Sequence, residues 1–495
     1  MSGNFTVLAV FTIYMAFMMW IGILSGKEST NDEQGFYLGN RSFGFYSTAM
    51  SSAATDTSGW IYIGAVGYAY MCGIEFMWMV PGYALGGVIS WLMIGPKLRR
   101  QSESLEAMDL IDYFEKRLDD KAHILKIIGG LLIILFFIPY MGSQLKSAAI
   151  TMNVILDTNY ILAMIITAAI VTFYCFFGGY KAVVWTDTVQ GTLMLLVLLG
   201  VPVYFIFGPL GGWESFWTQV YGIDPHLTDV VYGKGGNAAF GMVSGYLTTG
   251  IGTIGQPHNL QRYFATKDAE DVFYKGMWVK AAFNIISMTG ACLLGLIARV
   301  IMPEIADPEY AFPTLIYGTF SPVICGVIIA GIFAAIQSTF DSQLLVAVQT
   351  VASDFLPIVS RKKFGERAKV HISRITMIVL SVLAFIIAVL DIDTVFYLIL
   401  FASNCMASAF GPLLVFLLCA PQMVTKKSAI AAMLVGAGVA TVWYVSGLTQ
   451  TVIWEIVPGM LSATIVIIAL HYFIKGEREF VETKDDTMNH RIRRN

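Results

Sequence analysis

The residues best suited to binding chemistry begin with a polar run inside an apolar stretch, at positions 51–60. This run contains Asp56, one glycine and five hydroxyl side chains, and the residues on both sides of it are largely apolar. A carboxylate at the centre of a bilayer-spanning helix costs about 2.5–3.5 kcal/mol on insertion scales. Irregular backbone is tolerated at that depth where its free carbonyls line a polar cavity. The run therefore predicts a broken helix that forms one half of a site for a cation and a solute.

A second set of oxygen-bearing positions lies far along the chain, in another apolar stretch. Ala335, Ser338, Thr339 and Ser342 are separated by three and four residues, so they share one helix face. Sodium is a hard cation that prefers oxygen ligands from carbonyls, hydroxyls and carboxylates. The alternative is that these hydroxyls bond back to their own helix. Together with Asp56, the face favours a sodium site.

The elements that must position these residues are membrane-spanning helices. The chain has 495 residues, of which 56% are hydrophobic and 13% charged, whereas an average soluble domain is about 25% charged. Repeated apolar runs of about 20 residues predict an all-α polytopic membrane protein. The predicted spans number thirteen: 5–25, 43–71, 74–95, 125–153, 159–178, 183–208, 239–257, 275–302, 322–354, 370–391, 393–420, 428–446 and 451–473.

Composition and motifs argue against several other classes of protein. The net charge of −3 gives no field that would attract nucleic acid. The six cysteines form no CxxC pair, and the histidines show no metal-ligand spacing. A Walker A loop and a GxSxG elbow are also absent from the sequence. We therefore expect no enzyme activity, no cofactor other than a coupling ion, and no obligate protein partner.

Lysine and arginine placement predicts the orientation in the membrane. With the N-terminus outside, all but Lys146, Lys234 and Arg299 of the 31 basic residues fall in cytoplasmic segments: 26–42, 96–126, 179–182, 258–280, 355–374, 421–427 and the tail. The C-terminus is then cytoplasmic. A chain of this kind suits a multi-pass protein of a plasma membrane, and a bacterial inner membrane fits best.

A second interruption, at residues 248–257, matches the first in position. It holds three glycines and Pro257, and it lies five spans after the break at Asp56. Matching breaks predict inverted repeats, here at 43–208 and 239–420, within a single transporter domain 1–474 followed by a cytoplasmic tail at 475–495. The alternative is that the glycines serve only close helix packing.

Five motifs, taken together, resemble the sodium/solute symporter family, and within it the bacterial sodium/proline branch. The motifs are YLGNRS at 37–42, ATDTSGW at 54–60, GGYKAVVWTDTVQ at 178–190, GQPH at 255–258 and STFDSQLL at 338–345. The resemblance covers about residues 6–475. It implies a LeuT-like fold, with two inverted five-helix repeats and extra helices at both ends.

The resemblance also implies which residues hold ions. Its main sodium site maps onto the carbonyls of Ala54, Thr57 and Ala335 and the hydroxyls of Ser338 and Thr339. Asp56 is expected to organise the break, by accepting amide hydrogen bonds, and to add negative field for the cation.

Two further functions in coupling follow from the resemblance. A second ion site in some relatives corresponds to Asp187, Asp341 and Ser342. The alternatives are that the two carboxylates share a proton or pair with an arginine or lysine, and we favour one sodium per cycle. Arg41 matches an arginine that is functionally sensitive in the family, or it is an ordinary positive-inside anchor.

For the solute, the resemblance points to residues around the two breaks: Ser58, Trp60, Tyr140, Thr249, Thr253, Gln256 and Pro257. One departure matters, because the proline branch has a tryptophan and a tyrosine where this chain has Thr249 and Thr253. The pocket should then be larger and more polar.

The sequence thus predicts a sodium-coupled symporter that imports a small organic solute by alternating access. Proline or a similar amino acid is the first expectation. The alternatives are another solute, such as pantothenate, a monocarboxylate or a sugar, and a transporter-like sensor. The expected partners are sodium, the solute and the lipid bilayer.

Overall fold

Helices form nearly all of the regular structure in the computed structural model, which describes residues 2–29, 33–360, 365–473 and 480–483. The described residues form no β-strand, and Phe43 and Thr266 form an isolated parallel β-bridge.

The described residues of the first half of the chain form ten α-helices. They are α1 (Ser2–Ser29), α2 (Glu33–Leu38), α3 (Phe45–Thr57), α4 (Gly64–Cys72), α5 (Met79–Ile89), α6 (Gly95–Ser104), α7 (Leu110–Arg117), α8 (Ile124–Leu156), α9 (Tyr160–Phe207) and α10 (Trp213–Ile223). Helix α9 is kinked at Gly179, where φ is 55° and ψ is −155°. This kink separates the predicted spans 159–178 and 183–208, and glycine is the residue that adopts such a conformation without strain.

Eleven more α-helices are formed by the part of the second half that the structure describes. They are α11 (Gly236–Ile251), α12 (Pro257–Ala265), α13 (Asp271–Ile301), α14 (Ala311–Thr319), α15 (Pro322–Gln349), α16 (Leu356–Ser360), α17 (Glu366–Val389), α18 (Val395–Cys419), α19 (Lys426–Val445), α20 (Leu448–Thr451) and α21 (Ile456–Phe473). Short 3-10 turns join α3 to α4 and α11 to α12, at Gly59–Ile61 and Gly252–Gly255.

Ten helical stretches of the described residues are long and apolar enough to cross a membrane. The protein is therefore a multi-pass membrane protein. The predicted spans fall largely on helix, but thirteen crossings stay a prediction. Hydropathy selects ten stretches, and one of them, Gly59–Ser104, combines parts of two predicted spans.

The centre of the molecule is formed by the helices that carry the polar residues. Helix α3 packs against α9, α13 and α15, and the turn Gly252–Gly255 packs against α18. Helix α15 is buried along nearly its whole length. The oxygen-bearing face of α15 therefore lies inside the protein and away from lipid.

Part of the predicted cytoplasmic tail folds back onto the body of the protein. The Phe480 ring lies 5.3 Å from the Arg117 guanidinium carbon, and the Val481 amide donates to the Arg117 carbonyl at 2.9 Å. The rest of the predicted tail at 475–495 lies outside the described residues.

Candidate ion and solute site

The first break is a short interruption of helical backbone centred on Ser58. Helix α3 ends at Thr57 because Ser58 adopts φ 51° and ψ 176°, which no helix allows. Its hydroxyl accepts a hydrogen bond from the Trp60 amide at 3.1 Å, which stabilises the following turn. The Gly59 amide donates to Gln144 Oε1 at 3.0 Å. A side chain at Gly59 would place its Cβ 2.5 Å from the Ile336 side chain, so a glycine is required at this close approach.

The second break falls at Gln256, after α11 has ended at Ile251. Gln256 is extended, with φ −97° and ψ 111°, and Pro257 begins α12. The glycines of this segment are also packed tightly. A Cβ on Gly255 would lie 2.7 Å from the Ala407 Cα atom, and one on Gly250 would overlap the backbone of Gly82. The helix therefore breaks at this segment, and its glycines also allow close packing, so packing is not their only function.

The two breaks meet through side chains of α12. Asn259 donates from Nδ2 to Asp56 Oδ1 at 2.8 Å and to Gln256 Oε1 at 2.9 Å. One turn further along α12, Arg262 donates to Ser51 Oγ at 3.0 Å and to Thr55 Oγ1 at 2.6 Å. The corresponding interruptions of the two halves thus form one polar region.

Three of the five expected sodium ligands lie together at the contact of α3 with α15. The Ser338 hydroxyl oxygen is 3.2 Å from the Ala54 carbonyl oxygen and 3.1 Å from the Ala335 carbonyl oxygen. Thr339 lies beside them and donates to the Thr55 carbonyl at 2.8 Å. All five residues are buried. Carbonyl and hydroxyl oxygens are among the hard ligands that a sodium ion prefers, so this cluster suits the ion.

The fifth expected ligand, Thr57, lies in the last turn of α3. Its carbonyl is the expected ligand, which stays a prediction, while its hydroxyl donates to the Ala53 carbonyl of its own helix at 2.7 Å. On α15, Ser342 likewise donates to the Ser338 carbonyl at 2.6 Å. The hydroxyls near the break are thus divided between contacts across helices and contacts within one helix.

Asp56 is held by side chains, whereas backbone amides were expected. Its Oδ1 accepts from Asn259, and its Oδ2 accepts from the Lys280 ammonium at 2.8 Å. Lys280 also donates to the Ser52 carbonyl at 2.9 Å. Lys280 was counted with the cytoplasmic segment 258–280, but it is only 3% exposed and lies within α13, a helix long and apolar enough to cross a membrane.

Asp187 is also paired with a basic residue that was expected on the cytoplasmic side. Its Oδ2 accepts from Arg262 at 2.8 Å and from Ser51 at 2.5 Å, and both charged residues are buried. Arg262 also contacts the Ser342 hydroxyl, and its guanidinium carbon lies 5.7 Å from the centre of the Tyr180 ring. Among the three alternatives left open for this region, the structure contains the arginine pair.

Asp341 lies next to this pair on α15. Its Oδ1 accepts from the Ser342 hydroxyl at 3.1 Å. Asp187, Asp341 and Ser342 are thus brought together around Arg262, and their function as a second ion site stays a prediction.

Arg41 lies in the short segment before α3, outside the spans. It adopts φ 52°, and its guanidinium donates to the Ala107 carbonyl at 3.0 Å. Burial, with a smaller contribution from the charge of Arg99, lowers the pKa of Arg41 below its ordinary value. The contact ties the segment before α3 to the loop that precedes α7.

The aromatic residues expected near the solute lie beside the first break. The Trp60 ring stacks on Phe396 at 5.7 Å and on Tyr83 at 6.3 Å between centroids. The side chains of Ser58 and Ser403 lie near the Tyr140 hydroxyl. Trp60 is 1% exposed and Tyr140 3% exposed, so both are enclosed in this conformation.

The two threonines that replace the aromatic pair of the proline branch are buried on α11 and the adjoining turn. Thr249 donates to the Gly245 carbonyl at 2.9 Å, and Thr253 donates to the Gly250 carbonyl at 3.0 Å. Each hydroxyl proton is therefore used by its own helix. These two residues can therefore offer a solute only hydrogen-bond acceptors, namely their hydroxyl oxygens.

Sequence reasoning missed several residues of the site, above all Lys280, Arg262 and Asn259. It also missed His258, whose ring lies 5.8 Å from that of Tyr140. The available signal for these residues was their position in the sequence, because α12 follows the second break directly and Lys280 lies inside an apolar run. Buried polar atoms without a partner in the described part of the chain include Trp60 Nε1, Gln144 Nε2 and both ring nitrogens of His258.

Comparison with known proteins relates the chain as a whole to a protein family. The model of the sodium:solute symporter family matches residues 36–436. The osmoregulated proline transporter OpuE of Bacillus subtilis is 32% identical over 469 residues, which cover 94% of each chain. The sodium/proline symporter of Staphylococcus aureus is 32% identical over 499 residues, covering 97% of this chain and 95% of that protein.

Two solved structures have a similar fold. One is a sodium-coupled sialic acid symporter in a substrate-bound outward-open state, with a TM-score of 0.78 and 19% identity, covering 95% of this chain and 98% of that chain. The other is a nucleobase–cation symport-1 family transporter in a closed conformation, with a TM-score of 0.51 and 17% identity, covering 90% of this chain and 95% of that chain. These likenesses confirm the predicted LeuT-like, all-α fold class.

Proposed function

The chain belongs to the sodium:solute symporter family, and from this membership we propose that it imports proline or a similar amino acid together with sodium. Family and relatives are sodium-coupled transporters, so the expectation that this protein is not an enzyme is confirmed. The proposed location is a bacterial inner membrane, with the N-terminus outside and the C-terminus in the cytoplasm. The sensor alternative has no observation in its favour.

One observation supports the proposed sodium site above the others, namely the oxygen cluster of Ser338, Ala54 and Ala335. These atoms lie within 3.2 Å of Ser338 Oγ and belong to two helices that meet at the first break. An ion bound there would contact both α3 and α15, so its arrival or departure would change how the two helices pack. That dependence is what coupling requires, since a ligand shifts a conformational equilibrium only through different affinities for the two states.

The proposed solute site lies next to this cluster, on the other side of the break. The groups that remain available there are mainly hydrogen-bond donors, including the Trp60 indole and the Gln144 amide. Donors at a broken helix suit the carboxylate of an amino acid. The names of the two relatives favour proline, whereas Thr249 and Thr253 favour a solute larger than proline or packed differently.

One sodium ion per cycle is sufficient for this function. An inward sodium ion gains about 2.3 kcal/mol per 100 mV of membrane potential, and a tenfold concentration gradient adds about 1.4 kcal/mol. The sum of about 3.7 kcal/mol supports a solute gradient of several hundredfold, on the scale of 1.4 kcal/mol per factor of ten. This gradient is ample for taking up a nutrient or an osmolyte.

The test is uptake into proteoliposomes that contain the purified protein, with an imposed inward sodium gradient. The solutes are proline, other amino acids, pantothenate, lactate and glucose, each with sodium replaced by choline as the reference. We expect sodium-dependent accumulation of proline or another amino acid, inhibited by an excess of the same unlabelled compound. Binding without accumulation would support the sensor and contradict the proposal.

The threonine departure is tested in the same assay with the double variant Thr249→Trp/Thr253→Tyr. We expect it to shift the solute preference toward proline, because the new rings supply the aromatic walls of the proline branch. Thr218→Trp is the control, because Thr218 is on the outer helix α10, where its hydroxyl bonds to the Glu214 carbonyl. An unchanged preference in a folded double variant would remove the pocket argument.

A further inference from the structure

The ion pair between Lys280 and Asp56 lies in the polar centre of the protein and is shielded from solvent. The side chains are 4% and 3% exposed, and the ammonium nitrogen is 2.8 Å from Asp56 Oδ2. Lys280 comes from α13, whereas Asp56 is on α3, next to the first break. Burying two charges carries a large desolvation cost that their attraction only partly offsets. A pair of this kind at a functional centre therefore calls for an explanation beyond stability.

The immediate surroundings of the Lys280 ammonium are those that a sodium ion would seek. Its two hydrogen-bond partners are oxygens, a carboxylate oxygen of Asp56 and the Ser52 carbonyl oxygen at 2.9 Å. The lysine ammonium is a compact single positive charge with three donors. In charge and in preferred partners, it substitutes for a monovalent cation beside the carboxylate.

Another acidic residue near the break, Asp187, is also paired with a basic side chain. Asp187 is paired with Arg262 at 2.8 Å, with both side chains almost fully buried. Two carboxylates near the site are thus each neutralised by a basic side chain of the second half of the chain. The oxygens of Ala54, Ala335 and Ser338 form a separate cluster, to which neither basic side chain donates a described hydrogen bond.

We propose that Lys280 is a tethered cation, which occupies the place that a second sodium ion would otherwise take beside Asp56. It thereby limits this symporter to one mobile sodium ion for each solute. The inference rests on the proposed sodium-coupled uptake and adds its stoichiometry. Because the tethered charge never leaves the protein, it stabilises the broken α3 in every conformation without carrying charge across the membrane.

The experiment removes the tethered charge and keeps the side chain's length, with the substitution Lys280→Met. Asp56 is then free to bind sodium. In wild-type proteoliposomes, each tenfold increase in sodium at low concentration should raise the uptake rate about tenfold, and in the variant the rise should approach a hundredfold. Lys275→Met is the matched control, because Lys275 is on the same helix but exposed, and it pairs with Asp271. It should behave as the wild type.

A second variant and a second measurement make the result independent of transport activity. In Asp56→Asn/Lys280→Met both charges are absent, so no carboxylate is left there to bind a second sodium ion, and this variant is the reference for sodium binding whatever its transport activity. The thermal stability of the purified proteins is measured at rising sodium, with choline keeping the ionic strength constant. Sodium should stabilise Lys280→Met more steeply than either the wild type or the double variant, because it gains a site that is linked to folding.

Three results would overturn the inference. One is a Lys280→Met protein with the sodium dependence of the wild type in both measurements. Another is a Lys280→Met protein that fails to fold at every sodium concentration while the double variant folds, since sodium then cannot replace the ammonium. The third is a wild type that already shows cooperative sodium dependence. A wild type without any sodium dependence contradicts the proposed function itself and is thereby distinguished from these outcomes.

Discussion

At the scale of single residues, Ser338 provides the most direct test of the proposed sodium site. Its hydroxyl lies between the Ala54 and Ala335 carbonyls, so Ser338→Ala removes one oxygen from the cluster and leaves the helix intact. We expect the sodium concentration for half-maximal uptake to rise about tenfold, which corresponds to about 1.4 kcal/mol. The maximal rate at saturating sodium should change much less, because the remaining ligands still define the site.

The control for this prediction is Thr350→Val, at the first residue after α15 in the same helical stretch. Thr350 donates its hydroxyl to the Val346 carbonyl at 3.0 Å and has no contact with the oxygen cluster. Sodium titration of solute uptake measures both variants. An unchanged sodium requirement in folded Ser338→Ala would contradict the assignment of this cluster.

The residues of the site differ in how far the sequence could reveal them. Asp56 and Ser338 were recognisable because a carboxylate or a hydroxyl face is unusual inside an apolar run. Lys280 and Arg262 were harder to recognise despite their positions, because basic residues close to span ends are commonly topological anchors. Their partners, Asp56 and Asp187, are on helices 224 and 75 residues away in sequence, and only the packed structure brings them together.

At the scale of elements, the second break depends on the absence of a side chain at Gly255. A Cβ there would lie 2.7 Å from the Ala407 Cα atom, which belongs to the backbone of α18 and cannot move aside. We expect Gly255→Ala to destabilise the protein by about 1–3 kcal/mol, as overpacking of a close contact does. Solute uptake should fall strongly, because the break and α18 can no longer pack together.

Gly200→Ala is the matched control for this prediction. Gly200 lies in α9 with no heavy atom near the position of its missing Cβ, so alanine should be neutral or slightly stabilising. Thermal unfolding of the purified variants, followed by uptake, measures both effects. Equal stability of the two variants would show that the turn can shift away from α18.

The breaks themselves were predictable from glycine, proline and hydroxyl content, although their limits were not. The first interruption is concentrated at Ser58 and the turn Gly59–Ile61, so Asp56 still lies within α3. This difference has a physical consequence. Helical Asp56 has its own amide engaged in the helix, and its carboxylate can reach across to α12 and α13.

At the scale of the whole molecule, the fold class followed from hydropathy and from the matching breaks, while the helix count did not. Short 3-10 and π segments, such as Gly73–Trp78 and Ser90–Ile94, divide apolar runs that look continuous in sequence. Single-sequence hydropathy cannot place such divisions, because they depend on close contacts with neighbouring helices. Some basic side chains, such as Lys280 and Arg262, are buried between helices, whereas their sequence positions assign them to cytoplasmic loops.

The orientation in the membrane is the molecular property that these internal charges affect most directly. Removing Lys280 and Arg262 from the count of cytoplasmic basic residues leaves the bias strong, since the loops around α6 and α7 and the segment before α17 remain basic. We therefore still expect the N-terminus outside and the C-terminus inside. Positive charge in the loops near the spans dominates orientation, so the burial of Lys280 and Arg262 does not reverse the prediction.

The cysteines of the wild-type chain make this orientation measurable without a cysteine-free background. Cys419, at the end of α18, is exposed, and the other five cysteines are buried. A membrane-impermeant maleimide should label Cys419 in inside-out vesicles and leave it unmodified in intact cells. Gly222→Cys, on the exposed surface of α10, should add a site with the opposite behaviour. Labelling of Cys419 from the outside of intact cells would reverse the orientation, and with it the side from which sodium and solute enter the proposed site.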